Sequence, residues 1–281
     1  MDVGAQKEEH APKAVLALVA HPDDAEWYAG GTLAKLAGEG ARIIIVIATD
    51  GSKGSFELAG ESLARIRAEE ARRAAAVLGA EPPILLGHAD FELDALPAGY
   101  LREQFVRAIR TYRPDIVIAE DPFVPQEPHP DHRVVAWAAM EATLYAGLPA
   151  LYPEHLAEGL RPHLVVEKYW YANTAAGANK IVDISDTIEV KLAAMAEHRS
   201  QVQFLVEDIV RQAKLAGLEG EAMFQEATAD PMAAIAWALK TQAAEVGRRI
   251  GVPFGEAFRH ERFHPVVESL LTRMPPSKGG S

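Results

Sequence analysis

The chain contains no cysteine. That excludes disulfides, a thiolate metal site and a cysteine nucleophile, and it accords with a reducing compartment. Basic charge is scarce: 28 Lys and Arg stand against 40 Asp and Glu, a formal net charge of −12. No basic stripe runs through the sequence, so no nucleic-acid partner is expected. An acidic balance favours solubility and a neutral or cationic small substrate. No apolar run approaches the ~20 residues of a membrane span. The polar stretch Met1–Pro12 lacks the apolar segment of a signal peptide. A cytoplasmic protein with no membrane partner is expected. Also missing are a G-x-G-x-x-G after the first apolar run and a Walker-type Gly-Lys-Thr, which disfavours a nucleotide-binding protein.

What is present is a series of short, fully apolar runs. Ala14–Ala20 (AVLALVA) and Arg42–Ala48 (RIIIVIA) end in turn residues, the pattern of strands buried on both faces of a parallel sheet. Ile84–Leu86 and Asp115–Ala119 continue the series. Between them the spacing predicts helices over Ala29–Gly38, Ser62–Leu78 and Tyr100–Tyr112, the second stopped by Gly79 and Pro82-Pro83. Alternating strands and helices of these lengths predict βαβ units and a parallel sheet. Val134–Ala146 reads as a further helix, and Val165–Ala172 and Lys180–Ile184 as strands. From Ser185 onward the pattern is mostly helical: Ser185–Arg199, Gln203–Leu215 and Asp230–Gly247, with Asp230 as N-cap. With 281 residues, 49% hydrophobic, and no convincing linker, one domain is expected. Its core spans about 13–200 and a helical C-terminal part about 201–274. The tail Pro275–Ser281 is expected to be disordered.

The chemistry lies at two strand ends. His21-Pro22-Asp23-Asp24 follows the first strand, and His129-Pro130-Asp131-His132 comes about a hundred residues later. In a parallel sheet such ends share one rim, where ligands bind. A tight turn brings the side chains of His21 and Asp24 onto one ion. Asp23 then faces elsewhere and is free to act as general base on a metal-activated water. Pro130 suits the first position of a helix, with Asp131 in its first turn. His21, Asp24 and His132 thus supply three ligands and leave one coordination position open, as in a catalytic Zn²⁺ site. Fe²⁺ or Co²⁺ would suit the same donors. His129 is left as donor to an oxyanion, with Asp131 to orient it or raise its pKa. One His-Pro-Asp triplet alone can be a mere turn; two at predicted strand ends argue for a metal. Gly30-Gly31-Thr32 reads as helix packing, His198 and His264 as structural, and Asp50 as either turn-forming or bonded to a site residue.

Ala20–Gly40 (AHPDDAEWYAGGTLAKLAGEG), Thr49–Gly54 (TDGSKG), Ile66–Gly79 (IRAEEARRAAAVLG) and His129–His132 together resemble the PIG-L/LmbE-like family of metal-dependent de-N-acetylases. The similarity covers about residues 14–200, with a weaker echo at Gly255–Val266. It implies an α/β, Rossmann-like three-layer sandwich, with a mostly parallel sheet and a helical C-terminal elaboration. It implies one Zn²⁺ per chain on His21, Asp24 and His132, Asp23 as base, and His129 backed by Asp131 at the oxyanion. Arg67 matches a position that contacts the sugar in relatives. The implied activity is zinc-dependent removal of acetate from a small N-acetylglucosamine (GlcNAc) conjugate or a chitooligosaccharide, leaving an amino sugar, by a homo-oligomer such as a trimer or hexamer. Another amide, ester or phosphoester hydrolase, or a non-catalytic sugar-binding protein, is the alternative. Trp27-Tyr28 depart from the small residues common in relatives and would narrow the pocket or pack against a neighbouring subunit.

Overall fold

The computed structural model describes residues 13–271 apart from 59, 125–126 and 219. The expectations for Met1–Pro12 and for the tail 275–281 lie outside them. In chain order the elements are β1 Ala14–Val19, α1 Asp24–Gly38, β2 Arg42–Thr49, α2 Glu61–Leu78, β3 Ile84–His88, α3 Tyr100–Tyr112, β4 Ile116–Glu120 and α4 Pro130–Tyr145. There follow α5 Glu154–Ala157, β5 Glu167–Tyr171, β6 Lys180–Asp183, α6 Ile188–Met195, α7 Arg199–Leu215, α8 Ala222–Ala229, α9 Pro231–Arg248, β7 Gly255–Glu261 and α10 Pro265–Leu271.

The strands form one seven-stranded sheet in the order β3-β2-β1-β4-β5-β7-β6. β1 to β5 are parallel, and β7 pairs antiparallel with both β5 and β6. Alternate residues of the same strands enter different cores. Leu16, Leu18, Ile44, Val46 and Val117 pack with Phe105 and Val135 of α3 and α4 on one face. Val15, Ala17, Val19, Ile45 and Ile118 pack with Leu33, Ala71 and Ala74 of α1 and α2 on the other. Burial on both faces explains why the runs are continuously apolar rather than alternating. The expected three-layer α/β architecture is the observed one.

Three expectations change. First, α1 begins at Asp24, five residues before the predicted start. Gly30 and Gly31 lie inside it, where a Cβ on Gly31 would meet Ile184 at 2.8 Å. The pair serves close packing, as read from the sequence. Second, Gly255–Glu261 is a strand, not part of a helical tail. Its polar residues (Glu256, Arg259, His260) mask the pattern because each has a partner of its own. Third, the predicted helix Ser185–Arg199 is shortened to Ile188–Met195, and α8 is added after α7. The C-terminal helices α7 and α9 close a smaller core of Val202, Val206, Ile235 and Leu239 against Leu192 and Met195 of α6.

Strand order reverses at β1, whose neighbours β2 and β4 lead in opposite directions. The crevice above such a switch point is where open α/β sheets bind ligands. The HPDD turn leaves β1 there, and the loop after β4 leads to HPDH.

Candidate active site

His21 leaves β1 and turns sharply into α1. Asp24 Oδ2 accepts the backbone N–H groups of Ala20 and His21, at 3.1 and 2.8 Å, and so closes the turn. Asp23, between them, has φ 115°, a left-handed backbone that a non-glycine residue adopts at a cost of about 1–3 kcal/mol.

α4 delivers the second motif. Pro130 takes the first helical position, and the His129 ring caps the helix, its Nδ1 accepting the N–H of Asp131 at 3.2 Å. His132 lies one turn in and points at β1.

The two motifs meet as the sequence predicts. His21 Nδ1 is 3.1 Å from His132 Nε2. Asp24 Oδ2 is 3.6 Å from His21 Nδ1, and Asp24 Oδ1 is 3.5 Å from His132 Nε2. Tetrahedral ligands at the ~2.0–2.1 Å bond length of zinc stand about 3.4 Å apart; the two imidazole nitrogens are close to that spacing with a different Asp24 oxygen beside each, and a His129 nitrogen lies within 4.8 Å of both rings' donor atoms. Each imidazole turns its other nitrogen to carboxylates. His21 Nε2 is 3.2 Å from Asp90 Oδ1 and 3.4 Å from Asp131 Oδ2. His132 Nδ1 is 3.1 Å from Glu120 Oε2. A proton on His21 Nε2, shared with Asp90, leaves Nδ1 toward His132, the arrangement that orients metal-binding histidines, while His132 Nδ1 meets Glu120 as a close charge contact without hydrogen-bond geometry. Burial alone would keep His21 neutral, but Asp131, Asp24 and Asp90 outweigh it and raise its pKa. Burial is likewise outweighed at His132, where Asp24 and Glu120 raise the pKa to about 9. The pocket is therefore built for positive charge. A divalent ion with nitrogen and oxygen ligands fits this donor set.

Asp23 precedes α1, between the two HPDD residues His21 and Asp24. Burial pushes its pKa up to about 6, against the pull of the Arg67 guanidinium. A carboxylate near that value suits a general base at neutral pH. Arg67, on α2, is only 3% exposed. It donates to Gly51 O at 3.0 Å, Pro22 O at 2.6 Å and Asp23 Oδ1 at 3.1 Å. It therefore lies behind Asp23, and its reach toward a substrate runs through that carboxylate. Gly51 is needed for this packing: φ is 63°, and a Cβ there would fall 2.5 Å from Arg67 Nη1.

Asp131 has a wider part than the sequence suggests. Its carboxylate lies within 4.8 Å of a His129 ring nitrogen, and its charge works to raise the His129 pKa. It accepts the N–H groups of Phe91 and Leu93, at 2.7 and 3.1 Å, and faces His21. The hydrogen bond to His129 comes from the backbone N–H of Asp131. Because His129 Nδ1 is an acceptor in that bond, the ring proton sits on Nε2. Burial lowers the His129 pKa to about 4, with His21 and His132 adding to the effect. A neutral imidazole with a free N–H is a suitable oxyanion donor.

Sequence reasoning missed Asp90 and Glu120. Both stand at carboxyl ends of strands, β3 and β4, and an acidic residue at such an end beside a ligand motif is the signal that points to them. Asp50, left open between two roles, plays both: its Oδ1 accepts from Ser52 N at 3.0 Å and from Asp90 N at 3.2 Å. Trp27 and Tyr28 are absorbed within the chain. Trp27 packs on the C-terminal helical core. Tyr28 stacks on Tyr171 with centroids 4.6 Å apart, its edge toward His132, and its hydroxyl donates to Asn173 Oδ1 at 2.6 Å. His198 is fully buried, with Nε2 3.3 Å from Glu26 Oε2, and His264 is exposed at the start of α10.

Known proteins are similar to this chain in sequence and fold. The family model described as GlcNAc-PI de-N-acetylase, PIG-L, matches residues 16–143. The diacetylchitobiose deacetylase of Thermococcus kodakarensis is 40% identical over 191 residues, 67% of this chain and 70% of that one. A probable N-acetyl-α-D-glucosaminyl L-malate deacetylase of Bacillus cereus is 25% identical over 202 residues, 69% of this chain and 86% of the relative. Among solved structures, the N,N′-diacetylchitobiose deacetylase of Pyrococcus horikoshii, in complex with an inhibitor, superposes with a TM-score of 0.73 at 32% identity. It covers 95% of this chain and 88% of its own. A hydratase, GalB of Pseudomonas putida, shares the fold at 18% identity, with a TM-score of 0.63 over 90% of this chain and 97% of its own. By its motifs, its sheet and its kinship with these deacetylases, the chain belongs to the PIG-L family of de-N-acetylases.

Proposed function

We propose that this protein is a zinc-dependent hydrolase that removes the acetyl group from an N-acetylglucosamine-containing small molecule, with a chitooligosaccharide such as diacetylchitobiose as the favoured substrate. The carrying observation is the pair His21 Nδ1 and His132 Nε2, 3.1 Å apart with Asp24 alongside and Asp23 free of the ligand set. The 40% identity to a diacetylchitobiose deacetylase supports the disaccharide over other GlcNAc conjugates.

In this reading His21, Asp24 and His132 hold the ion. A divalent ion there would supply Lewis acidity and lower the pKa of water from about 15.7 to about 7. Asp23 takes the proton of the attacking water, and Arg67 keeps that carboxylate placed. His129 Nε2–H donates to the acetamide oxygen as charge develops on it. The proton that Asp23 accepted passes to the amine nitrogen as the C–N bond breaks, and acetate and a free amino sugar leave. Asp90, Asp131 and Glu120 orient the ligand imidazoles.

A cytoplasmic location and a homo-oligomer, trimer or hexamer, belong to the same proposal. Among the described residues no helix is long and apolar enough to cross a membrane. Exposed Trp137, Leu144 and Leu148 give α4 and its end an apolar face of the kind that subunits cover.

The test is acetate release from diacetylchitobiose, GlcNAc, GlcNAc-malate and GlcNAc-inositol, beside a phosphomonoester screen. Each runs before and after chelation, with Zn²⁺, Fe²⁺ or Co²⁺ restored. Zinc-restored acetate release, greatest with the disaccharide, is expected. Chelator-indifferent activity, or phosphate release alone, overturns the reading.

A further inference from the structure

Phe91 follows Asp90 in the loop that leaves β3. Its backbone has φ 63°, in the left-handed region. Glycine takes that conformation freely, and a bulky residue there is an outlier. The ring does not repay the strain by burial. It is 51% exposed, and among the described residues it belongs to none of the buried apolar clusters. Its contacts include a hydrogen bond and a ring contact. Its N–H donates to Asp131 Oδ2 at 2.7 Å, the same oxygen that faces His21. Its ring centroid lies 4.2 Å from that of His129, with the planes at 49°. A strained backbone thus presents an aromatic ring to solvent beside the proposed donor to the substrate carbonyl. Strained residues of this kind cluster where binding needs them.

The neighbour of a bound acetamide oxygen is the pyranose ring that carries the acetamide. Pyranoses offer a face of C–H groups, whose weak positive charge complements the negative face of an aromatic ring. We infer that Phe91 is the sugar platform of this site: its ring packs on the apolar face of the pyranose whose N-acetyl group His129 engages. This rests on the amino-sugar reading above and adds to it the surface that selects a sugar over an aliphatic N-acetyl amine.

The zinc-loaded full chain and its Phe91→Gly and Phe91→Tyr variants test this. Kinetics use diacetylchitobiose. Binding of the deacetylated disaccharide is measured by calorimetry, apart from any turnover. Phe91→Gly should keep its zinc and a thermal midpoint no lower than that of the parent, because glycine relieves the left-handed strain. It should bind the disaccharide about tenfold more weakly and raise KM about tenfold, with kcat changed far less. Phe91→Tyr should restore both. Unchanged sugar binding in Phe91→Gly overturns the platform, as does a fall in kcat alone, which would mean that the ring serves only His129. A parent protein that binds no disaccharide overturns it too. If the parent binds the sugar through Phe91 yet releases no acetate, the platform stands and the deacetylase reading falls.

Discussion

Arg67 Nη2 lies 3.1 Å from Asp23 Oδ1 and 2.6 Å from the carbonyl oxygen of Pro22. One guanidinium thus holds both the proposed base and the bend of chain that carries it. The bend is strained, with Asp23 at φ 115°, and a fork of donors is what can keep it in place. Lysine offers a point charge and lacks that fork.

Replacing Arg67 with Met should strand a buried carboxylate. Unfolding in urea should show a loss of about 3–5 kcal/mol, and kcat should fall at least ~100-fold. Arg67→Lys should recover part of the stability and little of the rate. A variant with unchanged kcat would remove Arg67 from the reaction.

Asp23→Asn keeps the shape of the turn and removes the base. Turnover should drop by about 10²–10⁴, while zinc stoichiometry, read by elemental analysis after gel filtration, stays as in the parent. Zinc lost along with activity would instead make Asp23 a ligand.

Asp90→Asn and Glu120→Gln act behind the ligands. Each removes a carboxylate that meets the outer nitrogen of a ligand imidazole, His21 at 3.2 Å and His132 at 3.1 Å. Zinc affinity, from competition with a chromogenic chelator, should weaken about 10–100-fold in each. Unaltered affinity in both would deny these carboxylates an orienting role.

His129→Ala removes the oxyanion donor. The expected loss is about 10²–10³ in kcat with KM little moved. A pure KM effect would place His129 in ground-state binding.

A fifth prediction concerns the scaffold. Glu256 of β7 accepts the N–H groups of Gly31 and Thr32, at 3.0 and 2.8 Å, and pairs with buried Lys191 at 2.6 Å. This ties the helix that begins at the HPDD turn to the far half of the sheet. Glu256→Ala should cost about 3–5 kcal/mol, since it leaves the buried Lys191 ammonium without its counter-charge, held only by the Trp27 carbonyl among the described residues. Adding Lys191→Met should return much of that. Additive losses in the double variant would mean that the two residues act separately.

The central sheet was legible because both its faces are buried. Runs such as Val15–Val19 and Ile43–Ile47 have no polar residue to confuse the reading. β7 was not legible: Glu256, Arg259 and His260 are satisfied by side chains and backbone from α1, β5 and the loops, and nothing local in GEAFRHE announces those partners. The helix start at Asp24 was missed because Asp23, at its N-cap, has a left-handed backbone and makes no side-chain cap hydrogen bond, so the usual capping geometry is absent.

What the chain alone determined is the set of ligand types and their place at two strand ends. Those follow from local spacing, and a parallel sheet must bring successive carboxyl ends to one rim. Only the tertiary structure decided which imidazole nitrogen faces inward, that the Asp131 carboxylate faces His21 while its N–H bonds His129, and that Arg67 stands behind Asp23. These depend on side-chain directions across β1, β3 and β4, separated by up to a hundred residues in sequence. No periodicity along the chain encodes an angle between neighbours that distant; packing does.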